Sequence, residues 1–156
     1  MIRLTSAALA ATFAMLAVPA QAQTVSAANP ESIVAALQDK GYQAKLGKDD
    51  GGDPMIESAT DGTKFFIFFF GCTNNRACAT LQFYAGFKNN GKSNITTMND
   101  WNKAKRFGRA YIDKDNDPVI DMDLDLDDGG MSRALFDDNV EFWAALIPTF
   151  KAHISK

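Results

Sequence analysis

The chain has 156 residues, with 16 Lys and Arg against 19 Asp and Glu and a formal net charge of −3. That balance has the wrong sign for a protein whose main partner is nucleic acid. The length suits one domain with a sizeable core and calls for no second.

Arg3 is followed by an uncharged run from Leu4 to Val18, then by Pro19 and the small-x-small step Ala20-Gln21-Ala22. A signal peptidase reads that order, so residues 1–22 are expected to be a signal peptide cleaved after Ala22, which makes the mature protein periplasmic or secreted. The apolar run is shorter than the ~20 residues that cross a bilayer, and the mature chain is expected to contain no membrane span. Residues 23–156 then form a single domain of 134 residues (156 less 22), with formal charge −4 once Arg3 is gone.

Gln23 to Ala28 reads as a loose lead-in. Asn29-Pro30-Glu31 supplies an N-cap, a proline at the first helical position and an acid in the first turn. Ile33, Val34 and Leu37 follow at helical spacing, and Gly41 stops the helix. From Tyr42 the period becomes two: Tyr42, Ala44 and Leu46 alternate with Gln43, Lys45 and Gly47, the pattern of a half-buried strand. Lys48 to Asp53 is a loop, Met55 to Ala59 a strand and Asp61-Gly62 a turn. Lys64 to Phe70 is apolar almost without a break, and such a strand calls for cover on both faces.

Cys72 and Cys78 bracket the polar loop Thr73 to Ala77, after which Ala79 to Phe87 returns as a strand. In an exported protein the two cysteines are expected to form a disulfide that staples this hairpin. Metal or redox thiols are the alternative, although five intervening residues differ from the Cys-x-x-Cys spacing of those chemistries. Thr97-x-x-Asp100 resembles a capping box ahead of Trp101, Ala104 and Phe107, giving a middle helix that stops at Gly108. Arg109 to Asp113 and Val119 to Leu126 read as strands around the turn Lys114 to Pro118. From about Ser132 to Ile154, Phe136, Val140, Trp143, Ile147, Phe150 and Ile154 form one helical stripe. Leu135, Phe142 and Leu146 widen it, and Pro148 is expected to kink the helix. The whole is an α+β domain: an antiparallel sheet of about five to six strands with an N-terminal, a middle and a long C-terminal helix. The apolar arc of the last helix exceeds what one sheet requires, so Phe136, Phe142, Trp143, Leu146 and Phe150 are expected to face a partner. A helix wrapped by its own loops is the competing reading.

Three stretches resemble chemical motifs. Gly86-Phe87-Lys88-Asn89-Asn90-Gly91-Lys92-Ser93 satisfies the P-loop pattern, which would make the protein a nucleotide-binding enzyme. A working P-loop, however, joins a parallel strand to a helix that begins at the lysine, and antiparallel hairpins precede this one. Asp113-x-Asp115-x-Asp117 opens like a calcium loop but has Pro118 where glycine and Leu124 where glutamate are needed. Asp121, Asp123, Asp125 and Asp127, within the Asp121 to Asp128 stretch, share one strand face. They either hold a calcium ion or form a solvated face balanced by Lys103, Lys105, Arg106 or Arg109. His153 is the sole histidine and suits the negative end of the last helix. No catalytic residue, cofactor or metal is expected from this set, and no nucleic acid is expected at Lys103 to Arg106.

Gly41-Tyr42, the two cysteines with Leu81-Gln82-Phe83, Trp101-Asn102, Arg106-Phe107-Gly108-Arg109-Ala110, Asp121-Met122-Asp123-Leu124 and the Gly-Gly-x-Ser step before the last helix carry a resemblance to the YbjN family of bacterial sensory transduction regulators. The resemblance covers nearly all of the mature chain. It implies a fold similar to type III secretion chaperones, compact α+β domains that dimerise and hold partner peptides. It therefore implies binding work, with a protein or peptide partner, a second copy of the chain included, and no catalytic residue. The signal peptide sets this chain apart from the family's cytoplasmic members. The combined expectation is a non-catalytic, exported regulator that acts by binding.

Overall fold

The computed structural model describes residues 24–155, and the expected leader lies outside them. Two short strands, β1 (Thr24–Val25) and β8 (Met131–Ser132), form a small antiparallel sheet. The lead-in expected to be loose is therefore tied down, with Val25 and Ala27 buried. Gly130 makes this closure work: at φ +87° it lies so near β1 that any Cβ would run into the Val25 carbonyl oxygen.

Helix α1 (Pro30–Asp39) begins where the missing N–H of Pro30 costs nothing, and it buries Ile33, Ala36 and Leu37. Gly41, at φ +86°, lets the chain leave it. The main sheet follows: β2 (Ala44–Lys48), β3 (Pro54–Thr60), β4 (Thr63–Phe70), β5 (Thr80–Gly86), β6 (Arg109–Ile112) and β7 (Pro118–Asp125). Their order is β2-β3-β4-β5-β7-β6, antiparallel at every step. The α+β class, the six-stranded sheet and three helices ending in a long one match the expectation.

One face of the sheet is the core. Phe65, Ile67, Phe69, Leu81, Phe83, Ala85, Ile120, Met122 and Leu124 point to it and are buried. On the opposite face Phe66 and Phe68 are half-buried and Phe70 is 45% exposed. The phenylalanine run is thus covered on one face only, contrary to the expectation of two. Phe68 leans on Phe66 at 6.0 Å and on Tyr84 at 5.7 Å, so these aromatic rings shield one another in place of a second layer. β2 also departs from the half-buried reading: it is an edge strand, exposed from Lys45 to Lys48.

Helix α2 (Ile95–Ala104) starts earlier than Thr97. Asn94 is its N-cap and accepts from the Thr97 N–H, while the Thr97 side chain returns a bond to the Asn94 N–H, a capping box shifted three residues upstream. Helix α3 (Arg133–Ile154) is capped by Ser132 and runs on through Pro148. Its inner face meets the sheet: Trp143 packs on Phe65 at 5.9 Å and Phe83 at 5.6 Å, and Phe150 sits between Phe87 at 5.5 Å and Trp101 at 5.0 Å. Arg133 fastens α3 to α1. Its guanidinium reaches Asp137 at 2.7 Å, Asp39 at 2.9 Å and the Ala36 carbonyl at 3.0 Å, so it also satisfies a free carbonyl of α1.

Candidate functional site

The residues expected to face a partner divide into two groups. Phe136, Trp143 and Phe150 are fully buried in the core, which corrects their assignment to a binding surface. The inner stripe of α3 is covered by the sheet at Phe65 and Phe83 and by Phe87 and Trp101 beyond it, so its residues are buried within the domain. Phe142, 42% exposed, and Leu146, half-buried, lie on the outer flank. There Phe142 stacks on Phe107 with centroids 4.8 Å apart and planes at 27°. Phe107 is 41% exposed and lies in the turn after α2, with the Arg106 guanidinium 5.7 Å over its ring. Leu146 closes the patch beside Gly108, where an added Cβ would meet Leu146 Cδ1 at 3.0 Å. Leu135, two turns up the same flank, is 51% exposed. Helical spacing sets Phe107 at the end of the middle helix, but α2 stops at Ala104, and no pattern along the chain pairs Phe107 with Phe142.

Cys72 and Cys78 are joined in a disulfide across the β4–β5 connection, so both sulfurs are engaged. Asn74, Asn75 and Ala77 in this loop take positive φ, a conformation that a crosslink helps to hold. The Asn75 amide donates to the Gly51 carbonyl at 3.2 Å and to Asp53 Oδ1 at 2.8 Å, tying the stapled loop to the β2–β3 turn.

The polar motifs are absorbed by turns and caps. In the P-loop-like stretch, Asn89 Oδ1 accepts the N–H groups of Gly91 at 3.0 Å and Ser93 at 3.3 Å, amides that a phosphate would need. Lys92 Nζ and Ser93 Oγ donate to the carbonyls of Ser155 and Ile154, satisfying the end of α3. Lys88 pairs with Asp117 at 2.6 Å. The strand before the loop, β5, is antiparallel to both neighbours, and α2 begins at Ile95 instead of at the lysine. The phosphate-binding geometry of the alternative reading is therefore not built here.

Asp113 Oδ1 likewise accepts from the N–H groups of Asp115 at 2.9 Å and Asp117 at 2.8 Å, while Asp113 N–H donates to the Asp117 carbonyl at 2.9 Å. The β2–β3 turn repeats this arrangement at Asp49, whose Oδ1 accepts from Gly51 and Asp53 at 2.9 Å each. The spaced aspartates are turn-formers. In the acidic ladder Asp121 is 1% exposed and receives both Nε and Nη2 of Arg109, at 3.0 and 2.7 Å. Asp123 accepts from Gln82 at 2.8 Å, and Asp125 from the Asp127 N–H at 3.0 Å. Among the described residues no three carboxylate, imidazole or thiol groups converge. His153 Nε2 lies 2.8 Å from the Thr97 carbonyl and donates to it, linking α3 to α2. Lys105 lies 5.6 Å over the Trp101 ring.

The fold and its surface define a class: an α+β domain with a six-stranded and a two-stranded antiparallel sheet, stapled by a disulfide, whose polar motifs serve its own turns and caps and whose outer helix flank carries an apolar patch. A family model described as YbjN, "Putative bacterial sensory transduction regulator", matches residues 29–156, and the chain belongs to that family. No curated protein and no solved structure shows a significant match. No helix among the described residues is long and apolar enough to cross a membrane.

Proposed function

We propose that the protein is an exported, non-catalytic regulator that acts by binding a protein or peptide partner through the outer flank of α3. The observation that carries this reading is the stacked pair Phe107 and Phe142, two aromatic rings from different elements held face to face with about two fifths of each in water. Aromatic anchors ringed by a guanidinium and aliphatic side chains are the composition of interface hot spots. The family's description as regulatory supports a binding role, and the disulfide supports an oxidising compartment outside the cytoplasm.

The test is a photo-crosslinking residue placed at Phe142, and separately at Asp123 on the opposite face of the sheet, in the protein expressed from its full gene. A partner trapped from position 142 and not from 123, then rebound from purified components and lost with Phe142→Asp, supports the reading. Equal trapping at both positions, or binding unaffected by Phe142→Asp, refutes it.

A further inference from the structure

The exposed edge of the main sheet has a backbone phase that can be worked out residue by residue. The Asp49 N–H donates to the Asp53 carbonyl and closes the β2–β3 hairpin. Bonded and non-bonded pairs alternate along an antiparallel ladder, so Lys48 with Pro54, and Leu46 with Ile56, are non-bonded pairs. Pro54 has no N–H to give, which agrees. Ala44, in the same phase, has its carbonyl approached from the α1 side by Gln38 Nε2 at 3.4 Å. The N–H and C=O groups of Leu46 and Lys48 therefore point away from the sheet, toward the open edge.

A groove of about 510 Å³ runs beside that edge. Leu46, Pro30 and Pro54 give it apolar walls, while Lys48 and Arg76 stand over it and Glu31 is its one acid. Leu46 is 38% exposed there. The six ion pairs among the described residues engage none of Lys45, Lys48 and Arg76. The positive end of the α1 dipole, at Pro30, adds to the same sign. The stapled loop carrying Arg76 is held in place by the disulfide and by Asn75, so the wall is fixed before any ligand arrives.

We propose that this edge is a docking site for an extended, carboxylate-bearing peptide segment of a protein partner, which adds to β2 as a further strand. The outward amides of Leu46 and Lys48 supply the main-chain bonds, and the unpaired cations select the sign of the side chains. A second copy of the chain is the wrong occupant, because edge-to-edge pairing would set two strands of the same positive charge, each carrying Lys45 and Lys48, side by side. The site is independent of the Phe107 and Phe142 patch.

The probe is a fluorescein-labelled peptide of alternating Asp and Val, with a Lys and Val peptide as the control. Binding is read by anisotropy at low and high salt and by amide exchange of the free and loaded protein. The acidic peptide should bind and slow exchange at Leu46 and Lys48. Its affinity should drop about tenfold in the Lys48→Glu, Arg76→Glu double variant and fall steeply with salt. Leu46→Pro removes an outward donor without touching the β2–β3 ladder and should abolish binding, with circular dichroism as the folding control. Phe142→Asp should bind the peptide normally. The proposal fails if the Lys peptide binds as well, if binding leaves both amides unprotected, if Phe142→Asp abolishes binding, or if the amides are already protected by self-association.

Discussion

Ser58 lies mid-strand in β3 on the core face, opposite Phe65 and 4% exposed, and its Oγ has no hydrogen-bond partner among the described residues. Burying a hydroxyl without a partner costs about 1–3 kcal/mol. Ser58→Ala deletes that hydroxyl while giving up the dispersion contacts of a single oxygen, worth about 0.5 kcal/mol. The variant should therefore be more stable by about 1 kcal/mol, a rise in Tm of about 3–5 °C for a domain of this size. Ser93 provides the opposite case: it is 7% exposed and its Oγ donates to the Ile154 carbonyl at 3.1 Å. Ser93→Ala should lose about 1 kcal/mol, because the substitution removes the hydrogen bond to that part-buried carbonyl. Urea unfolding of both variants with the disulfide intact, compared at constant m, reads the two signs directly. A Ser58→Ala variant destabilised by about 1 kcal/mol or more would mean that the hydroxyl is bonded in solution, and the reasoning would be wrong.

Arg109→Ala should cost about 3 kcal/mol, at the low end for a broken buried pair because Arg109 itself is largely open to water while Asp121 is not; thermal denaturation against wild type checks it. The secreted protein should begin at Gln23, and its intact mass should fall by about two hydrogens against the fully reduced form; a mass that includes residues 1–22, or two thiols open to alkylation, would contradict the export reading. The hydrogen bond from Lys88, then that from the Asn89 N–H, holds the Asp117 carboxyl below its ordinary range, and Lys64 does the same for Glu57. Since both folded values lie below the unfolded ones, the stabilisation is full above the ordinary carboxylate pKa of about 4 and is lost as pH falls through the folded values. Stability measured downward from neutral pH should therefore decline only in acid, and less in Asp117→Asn.

Elements with a strong local signal were legible along the chain. Asn29-Pro30-Glu31 marked α1, the stripe from Phe136 to Ile154 marked α3, and the two cysteines marked the staple. What failed needed information from elsewhere in the fold. Val25 became buried because Gly130 lets β8 approach it, a pairing across most of the chain that no local pattern announces. Phe65 and Phe66 look alike in sequence, yet which of the two faces the helices depends on strand register. The same limit applies to the site. Trp143 and Phe142 are neighbours on one apolar arc, and only the position of the sheet makes the first core and the second surface. The edge of β2 was hidden because strand order, which leaves β2 and β6 with a neighbour on one side only, has no signature in β2 itself.

The aromatic partners of Phe65 and Phe83 on the core face, Phe136 and Trp143, belong to the last helix of the chain. β2, β3, β4 and β5 pair in the order in which they are made, so a newly synthesised chain can assemble this meander early. α1, made earlier, covers part of the meander's core face, but the cover supplied by Phe136 and Trp143 is missing until α3 has been made. During that interval the nascent chain presents Phe65, Ile67, Phe69 and Phe83 on a preformed sheet, the kind of surface that holdase chaperones capture. The carboxy-terminal location of α3 makes a truncated translation product of this gene an aggregation hazard and not merely an inactive fragment.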